Sequence, residues 1–508
     1  MKYLLGTDIG TSGTKTILMD TQGNLLAQDL QEYGVLTPQP LFAEQWPDVW
    51  LTATQKSISR VVEKAAVDPM QIAGLCISGL YGGSGIPLDE AMNPVRPCLI
   101  WMDRRAGEQS RWVQEHVSQD TLFEITQNGT DPYYGYTKIM WIRDNEPQNW
   151  AKTRLFLPPN SYVIYKLTGS IAIDYSSAGN LGGIFDMRRR TWSEPMLDAL
   201  GIPLSMLPQN IVSSDTVVGT LTKEAARTLG LWEGLPVCAG GVDCGVATFG
   251  LSAASDNNCV AAIGTSMCVA VVHEGSLQSR ELISWPYVTE PKRLTYTFGG
   301  GCTSGALIRW FRDQFATEEL AEEKAGGVNS YAALDAAAQA VPVGSDGLIA
   351  LPYFMGERAP VWDTDARGTF FGLTLRHTKA HLYRACLEAV AFSMRETLEY
   401  LGITELDTVL LAGGVTKSSL WRQIFADVTG CTMCTPKLEV EATLGDVMLA
   451  GLGTGALTKD DLKLWKVDQQ ITKPNEENHR VYSALYQIYR DLYRNTRQEM
   501  HRLSQMHG

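Results

Sequence analysis

The sequence predicts an α/β protein of two large domains. Three observations carry this. The chain has 508 residues, and at about 100–200 residues per domain that length asks for two to four of them. Strand-like runs at 72–77, 155–157 and 236–239 alternate with helix-like runs at 47–64, 103–116 and 135–145, the rhythm of α/β folds. The third is an internal echo. Leu4 to Leu18 reads as a strand, a Gly10-Thr11-Ser12 turn and a second strand, and Val260 to Val271 repeats the design around Gly264-Thr265-Ser266. Two similar domains, each opening with a hairpin, explain the repeat.

In the second half, 381–394 places Leu382, Cys386, Ala389, Val390 and Met394 on one helical face, which predicts a packed helix. A closing helix follows near the end, with Val481, Leu485, Ile488 and Leu492 as its expected apolar face. The small, polar stretch at 249–256 marks a boundary near residue 250, good to about ten residues, which divides the chain into 1–248 and 249–508.

Composition narrows the function. The formal charge is −13, from 43 Lys and Arg against 56 Asp and Glu. It leaves no basic stripe for nucleic acid or anionic lipid, so small molecules are the expected partners. Asp8 stands where a signal peptide needs apolar residues, no run of about 18 apolar residues occurs, and mean hydropathy is −0.10. A cytoplasmic protein without membrane attachment is expected, with a homodimer as one open assembly state. The ten cysteines lie mostly in apolar runs and are expected to be buried thiols.

Four glycine-rich strand ends carry the chemistry. Asp8-Ile9-Gly10-Thr11-Ser12-Gly13-Thr14-Lys15 ends a strand with a carboxylate and continues with glycines, hydroxyls and a Lys. Bare backbone N–H groups and hydroxyls suit phosphate oxygens, and a carboxylate suits Mg²⁺. The spacing is neither a Walker A loop nor a dinucleotide fingerprint. Ala239-Gly240-Gly241-Val242-Asp243 again runs a strand into glycines and one Asp, which reads as a turn cap or as a general base toward a substrate hydroxyl. Gly299-Gly300-Gly301-Cys302-Thr303-Ser304-Gly305 and Gly413-Gly414-Val415-Thr416-Lys417-Ser418 each open into a helix, whose N-terminus favours phosphate. Cys431-Thr432-Met433-Cys434 reads as strand thiols rather than a redox pair, and His377 with His381 as a helix start rather than a zinc site.

In motif order, from residue 4 to about 455, the chain resembles the FGGY family of carbohydrate kinases, the group that includes xylulokinase and glycerol kinase. The matching residues include Asp8 to Lys15, Trp101-Met102-Asp103-Arg104-Arg105, Asp131-Pro132-Tyr133, Lys138 to Trp141, Asp174-Tyr175-Ser176, Asp243, Gly264-Thr265-Ser266, Gly299 to Gly305, Gly356-Glu357-Arg358 and Gly413-Gly414. The resemblance implies two actin/Hsp70-like (ribonuclease H-like) domains facing each other across a cleft, with sugar on the first and ATP on the second. It implies Asp243 as general base and Asp8 as the Mg²⁺ carboxylate. Thr11, Ser12, Gly13, Lys15, Thr265 and Ser266 are implied on the phosphates, with Gly305, Arg309, Gly414 and Ser418 along the nucleotide. Asp103 and Tyr133 are implied on the substrate side, where Tyr81, Gly82 and Gly83 are also expected although the chain departs there from the family pattern. The expected reaction is phosphorylation of a ketopentose such as xylulose, or of a related polyol. A nucleotide-dependent binding or regulatory protein on the same scaffold is the alternative, and a phosphohydrolase a third reading. One departure concerns the substrate: Gly82-Gly83 stands where glycerol kinases show Arg-Glu and xylulokinases Met-His. Two missing side chains are expected to leave space for a longer or branched substrate, or to let Tyr81 stack over it.

Overall fold

The computed structural model describes residues 2–253, 259–275, 279–403, 407–436, 441–465 and 469–507. The chain forms two compact units. Unit 1 takes Met1–Asp256 together with Val272–Tyr296 and Val440–Lys466, and unit 2 takes Asn257–Val271, Thr297–Glu439 and Val467–Gly508.

Unit 1 is built on six strands: β1 (Tyr3–Ile9), β2 (Gly13–Asp20), β3 (Leu25–Glu32), β4 (Ile72–Gly79), β5 (Val217–Thr220) and β6 (Pro236–Cys238), in the order β5-β6-β4-β1-β2-β3. β1 and β2 make the expected hairpin, and β1, β4 and β6 run parallel. β1 buries Leu4, Leu5 and Ile9 completely because both faces of the sheet are covered. α1 (Pro47–Ala65) starts on a Pro, ends at Ala66 in the left-handed region, and buries Trp50, Ile58 and Val61 along one stripe. The expected helix at 135–145 forms as Gly135–Asn145. The run at 103–116 becomes helical only over Gly107–His116, because Asp103 and Arg105 close a salt-bridged turn instead. Leu155–Leu157 pairs with Ile86–Leu88 in a small separate sheet.

Unit 2 repeats the plan. Its strands β7 (Cys259–Ile263), β8 (Met267–Glu274), β9 (Thr408–Gly413), β10 (Thr432–Pro436) and β11 (Gln469–Thr472) lie in the order β8-β7-β9-β10-β11. β7 and β8 are an antiparallel hairpin, β7, β9 and β10 run parallel, and β11 closes the row antiparallel. That is the pattern of β2-β1-β4-β6-β5 in unit 1, so the internal echo is a duplicated sheet topology.

Two helix faces differ from expectation. α4 (Lys379–Tyr400) is buried all round from Tyr383 to Met394, while Leu382 is only half-buried. Its core includes the Arg384–Glu388 ion pair at 2.8 Å, and Glu388 also accepts from Tyr482 Oη at 2.7 Å and Ser345 Oγ at 2.9 Å. On α7 (Glu476–His507) the expected Leu492 is buried, but the rest of the buried face is Tyr482, Tyr486 and Tyr489, whereas Val481 and Ile488 are exposed. Tyrosine wins here because its ring fills the core while its hydroxyl finds a buried partner, as when Tyr489 meets Tyr353 at 3.1 Å.

All ten cysteines are thiols, but Cys244, Cys268 and Cys302 are partly exposed, which corrects the expectation of burial. Cys244 stands in the first turn of a helix, Cys268 near the start of β8 and Cys302 in a bend. Among the described residues, no helix is long and apolar enough to cross a membrane.

Candidate active site

The carboxyl ends of parallel strands leave the backbone open to ligands, and unit 1 gathers its acids there. In register, Asp8 on β1 stands beside Ser78 on β4 and opposite Lys15 on β2. Beyond it the turn is tied down: Gly10 N–H donates to Gly13 O at 2.9 Å and Tyr33 Oη to Gly10 O at 2.7 Å. Thr11 receives Trp101 Nε1–H on its hydroxyl at 3.0 Å, so the Trp-Met-Asp-Arg-Arg motif supports this turn. Ser12 is exposed, and Thr11, Gly13 and Lys15 are partly so.

Asp243 opens α2 (Asp243–Ala253) at the same strand ends. Gly79 bridges to Val242, and Gly79 N–H donates to Gly241 O at 3.0 Å. Asp8 and Asp243 therefore flank β4 from opposite sides. A buried network holds the turn that leads into Asp243. Val242 N–H donates to Ser176 Oγ at 3.0 Å, and Ser176 Oγ donates to Asp174 Oδ1. Asp174 also accepts from Ser177 N–H at 2.8 Å and Asn160 Nδ2 at 3.1 Å. Burial pushes the Asp174 carboxyl up.

The substrate-side residues are more enclosed than expected. Tyr81 and Tyr133 are buried against each other, ring centroids 5.1 Å apart. Lys138, fully buried, holds the turn carrying Tyr133 by donating to the carbonyls of Pro132 and Tyr133. Burial lowers its pKa to about 7. Asp103 is fully buried, its oxygens taken by Arg105 and by Ala43 N–H at 2.7 Å. Gly82-Gly83 opens no room either, which corrects that expectation. A Cβ on Gly82 would lie 2.4 Å from Pro159 Cδ, and one on Gly83 2.1 Å from Leu99 O. The enclosed cavity beside them has ≈ 20 Å³, space for about one water.

In unit 2 the strand ends meet α3 (Gly305–Phe315). Gly264 and Thr265 are exposed and Ser266 partly so. The backbone N–H groups of Gly305 and Ala306 donate to the carbonyls of Gly264 and Thr265 at 2.9 and 3.1 Å. These amides brace the hairpin turn rather than waiting for an anion. Only glycine fits this approach, since a Cβ on Gly305 would lie 2.4 Å from Gly264 O. Arg309, one turn along α3, is exposed. Ile263 pairs with Gly413, and no atom lies within 4 Å of where a Cβ on Gly414 would stand. Ser418 Oγ caps α5 (Ser419–Thr429), accepting from Trp421 N–H at 3.0 Å. Thr265, Ser266, Gly305, Gly414 and Ser418 thus share one end of the sheet.

Sequence reasoning missed one prominent acid. Asp446 on α6 (Glu441–Gly453) is fully buried in unit 1, within hydrogen-bond distance of Ser78 Oγ at 2.7 Å and accepting from Cys76 Sγ at 3.4 Å. Burial, then the charge of Asp8, pushes its carboxyl well above the usual range. The signal was a lone acid inside the apolar run Leu444 to Leu449.

Two units with one duplicated sheet topology make this an actin/Hsp70-like α/β protein. The models for the N-terminal and C-terminal domains of the FGGY family of carbohydrate kinases match residues 3–250 and 259–454. The chain belongs to this family and is a sugar kinase. It is 30% identical to the xylulose kinase of Lactococcus lactis, covering 99% of each chain. It is 28% identical to the gluconokinase of Bacillus licheniformis, covering 97% of this chain and 96% of that one. The crystal structure of xylulose kinase from Rhodospirillum rubrum matches with a TM-score of 0.88 at 27% identity, over 98% of this chain and all of that one.

Proposed function

We propose that this kinase transfers the γ-phosphoryl group of Mg-ATP to a hydroxyl of a small open-chain sugar or polyol, with Asp243 as general base. A ketopentose such as xylulose is the leading substrate, and the gluconokinase likeness adds sugar acids to the candidates. In this reading residues 1–248 form the sugar side and 249–508 the nucleotide side. The observation that carries it is the pairing of Asp8, near the end of β1, and Asp243, at the start of α2, on either side of β4, each beside a turn tied down by hydrogen bonds.

Phosphoryl transfer depends on positioning and on charge stabilisation more than on a strong nucleophile. Asp243 accepts the proton of the attacking hydroxyl, and the Asp174–Ser176–Val242 chain keeps it aimed. Mg²⁺ takes one or two carboxylates plus phosphate oxygens and water, and Asp8 with Lys15 opposite offers a carboxylate and a counter-cation for that complex. The bound metal neutralises charge on the transferring group. Thr11, Ser12 and Gly13 from one hairpin and Thr265 and Ser266 from the other supply hydroxyls and bare backbone for phosphate oxygens. Gly305, Arg309, Gly414 and Ser418 line the nucleotide. Tyr81 and Tyr133, packed on each other, back the sugar side from behind its surface. Asp103 holds Arg105 against Glu44 and the Phe42 ring, and Gly82-Gly83 lets the chain pass Pro159 and Leu99.

The test is ADP release with Mg-ATP over ketopentoses, aldopentoses, pentitols, hexuloses, glycerol and gluconate, with Asp243→Asn alongside. The expected result is turnover on one member and a kcat at least ~10²-fold lower in the variant. Sugar-independent ADP release, or full activity in Asp243→Asn, overturns the reading.

A further inference from the structure

Ser78 Oγ lies 2.7 Å from Asp446 Oδ2 and 3.2 Å from Asp8 Oδ1. A hydroxyl has one hydrogen and donates once, so two ionised carboxylates leave one of these contacts without a proton. A neutral Asp446 completes the row: its carboxyl donates to Ser78, and the Ser78 hydrogen turns to Asp8. The surroundings favour that neutral form, since Asp446 is fully buried and its other oxygen receives the Cys76 thiol.

The backbone is built to bring this acid in. A Cβ on Gly6 of β1 would lie 2.4 Å from Thr443 O and 2.9 Å from Asp446 Cβ, so α6 rests directly on the strand that carries Asp8. A Cβ on Gly445 would lie 2.1 Å from Val246 O, so α6 also presses against α2, the helix opened by Asp243. Two glycine contacts set the depth at which Asp446 meets β4.

We propose that Asp446 is a positioning residue for the reaction, fixing the Asp8 carboxylate through the Ser78 hydroxyl. It touches neither substrate nor metal in this role, and the proposal rests on the reading of Asp8 as the Mg²⁺ carboxylate. The neutral acid gives Asp8 a directed hydrogen bond without adding a second negative charge beside it.

The test uses the full-length protein as wild type, Asp446→Asn, Asp446→Ala, Ser78→Ala, Asp8→Asn and the double variant Asp8→Asn with Asp446→Ala. ADP affinity is measured by calorimetry with Mg²⁺ and with EDTA, and kcat and KM are measured on the substrate found above. Asp446→Asn keeps a neutral donor toward Ser78 and is expected within ~3-fold of wild type. Asp446→Ala and Ser78→Ala are expected to lower kcat by about 10-fold or more with sugar KM unchanged, as misplacement by a fraction of an ångström does, and to lose most of the Mg²⁺-dependent part of ADP affinity. In the Asp8→Asn background, Asp446→Ala is expected to add less than about 2-fold, since coupled residues are not additive. Wild-type Mg²⁺ dependence and kcat in Ser78→Ala overturn the proposal, as do equal losses in Asn and Ala variants or independent effects in the double variant. If Asp446→Ala does not fold, Ser78→Ala and Asp446→Asn decide. If wild type phosphorylates nothing in the panel, the functional reading fails, and the ADP and Mg²⁺ arm still decides the role of Asp446.

Discussion

Asp174→Asn tests whether the proposed base, Asp243, depends on the buried hydrogen-bond network behind it. The Asp174 carboxylate is fully buried and accepts three hydrogen bonds, from Ser176 Oγ, Ser177 N–H and Asn160 Nδ2. An amide has one accepting oxygen and one NH2. If the oxygen faces Ser176 and Ser177, the NH2 meets the Asn160 amide; turned over, it meets the Ser177 N–H. Either way a buried donor faces a donor, at a cost of about 1–3 kcal/mol. At about 2–4 °C per kcal/mol for a domain of this size, the unfolding midpoint falls by about 2–12 °C. The kinetic effect comes through Ser176, whose oxygen accepts from Val242, the residue before Asp243. A turn loosened by a fraction of an ångström lowers kcat by about 10-fold while leaving KM for ATP unchanged. Differential scanning fluorimetry and coupled ADP detection read the two quantities. A variant with an unshifted midpoint and full kcat refutes the reasoning, because it shows the carboxylate to be dispensable where the structure has it accepting three bonds.

Gly83→Ala is expected to destabilise by about 3 kcal/mol or more, since the backbone there has φ +52° and the new Cβ meets the Leu99 carbonyl. Thermal unfolding checks this, and an Ala tolerated with only a raised sugar KM shows that the glycines do border the substrate. Glu357 supplies a pH dependence: burial raises its carboxyl to about 7 from 4.5, against hydrogen bonds from the Arg358 and Cys302 amides. Between those values the native protein keeps a proton that the unfolded chain has lost. The stability given by the neutral acid is therefore complete below about pH 4.5 and lost as pH rises through about 7, a swing of about 3 kcal/mol. Denaturant midpoints across pH 5–8 are expected to fall with rising pH in wild type and to stay flatter in Glu357→Gln.

What could be read from the sequence was what local chemistry decides. Both hairpins follow from glycine and hydroxyl turns between apolar strands, and the helix from Pro47 follows from its apolar spacing and its starting proline. Burial on α7 did not follow the same rule, because hydropathy favours Val481 and Ile488 over the tyrosines that the core takes. The Asp103 turn was missed for a related reason: its partner Arg105 is two residues away, and the pair ends a turn that helical spacing alone reads as helix. Asp446 lies beyond local rules altogether, since Ser78 is 368 residues away along the chain.

The duplicated sheets also show where charge was added. Asp8 stands two residues before Gly10-Thr11-Ser12, and the residue two before Gly264-Thr265-Ser266 is Ala262. The two hairpins thus share glycine and hydroxyls and differ in the carboxylate. A bare carboxylate beside a polyanionic phosphate chain is repulsive unless a cation stands between them. A turn with hydroxyls and no acid suits phosphate contact by itself, whereas a turn with Asp8 requires a metal, and Lys15 opposite, to do the same. On that ground the Mg²⁺ proposed above would belong with the first hairpin, and replacing Ala262 by Asp is expected to weaken ADP binding in EDTA while Asp8→Asn weakens it only when Mg²⁺ is present. Equal effects of the two substitutions under both conditions contradict this division of labour.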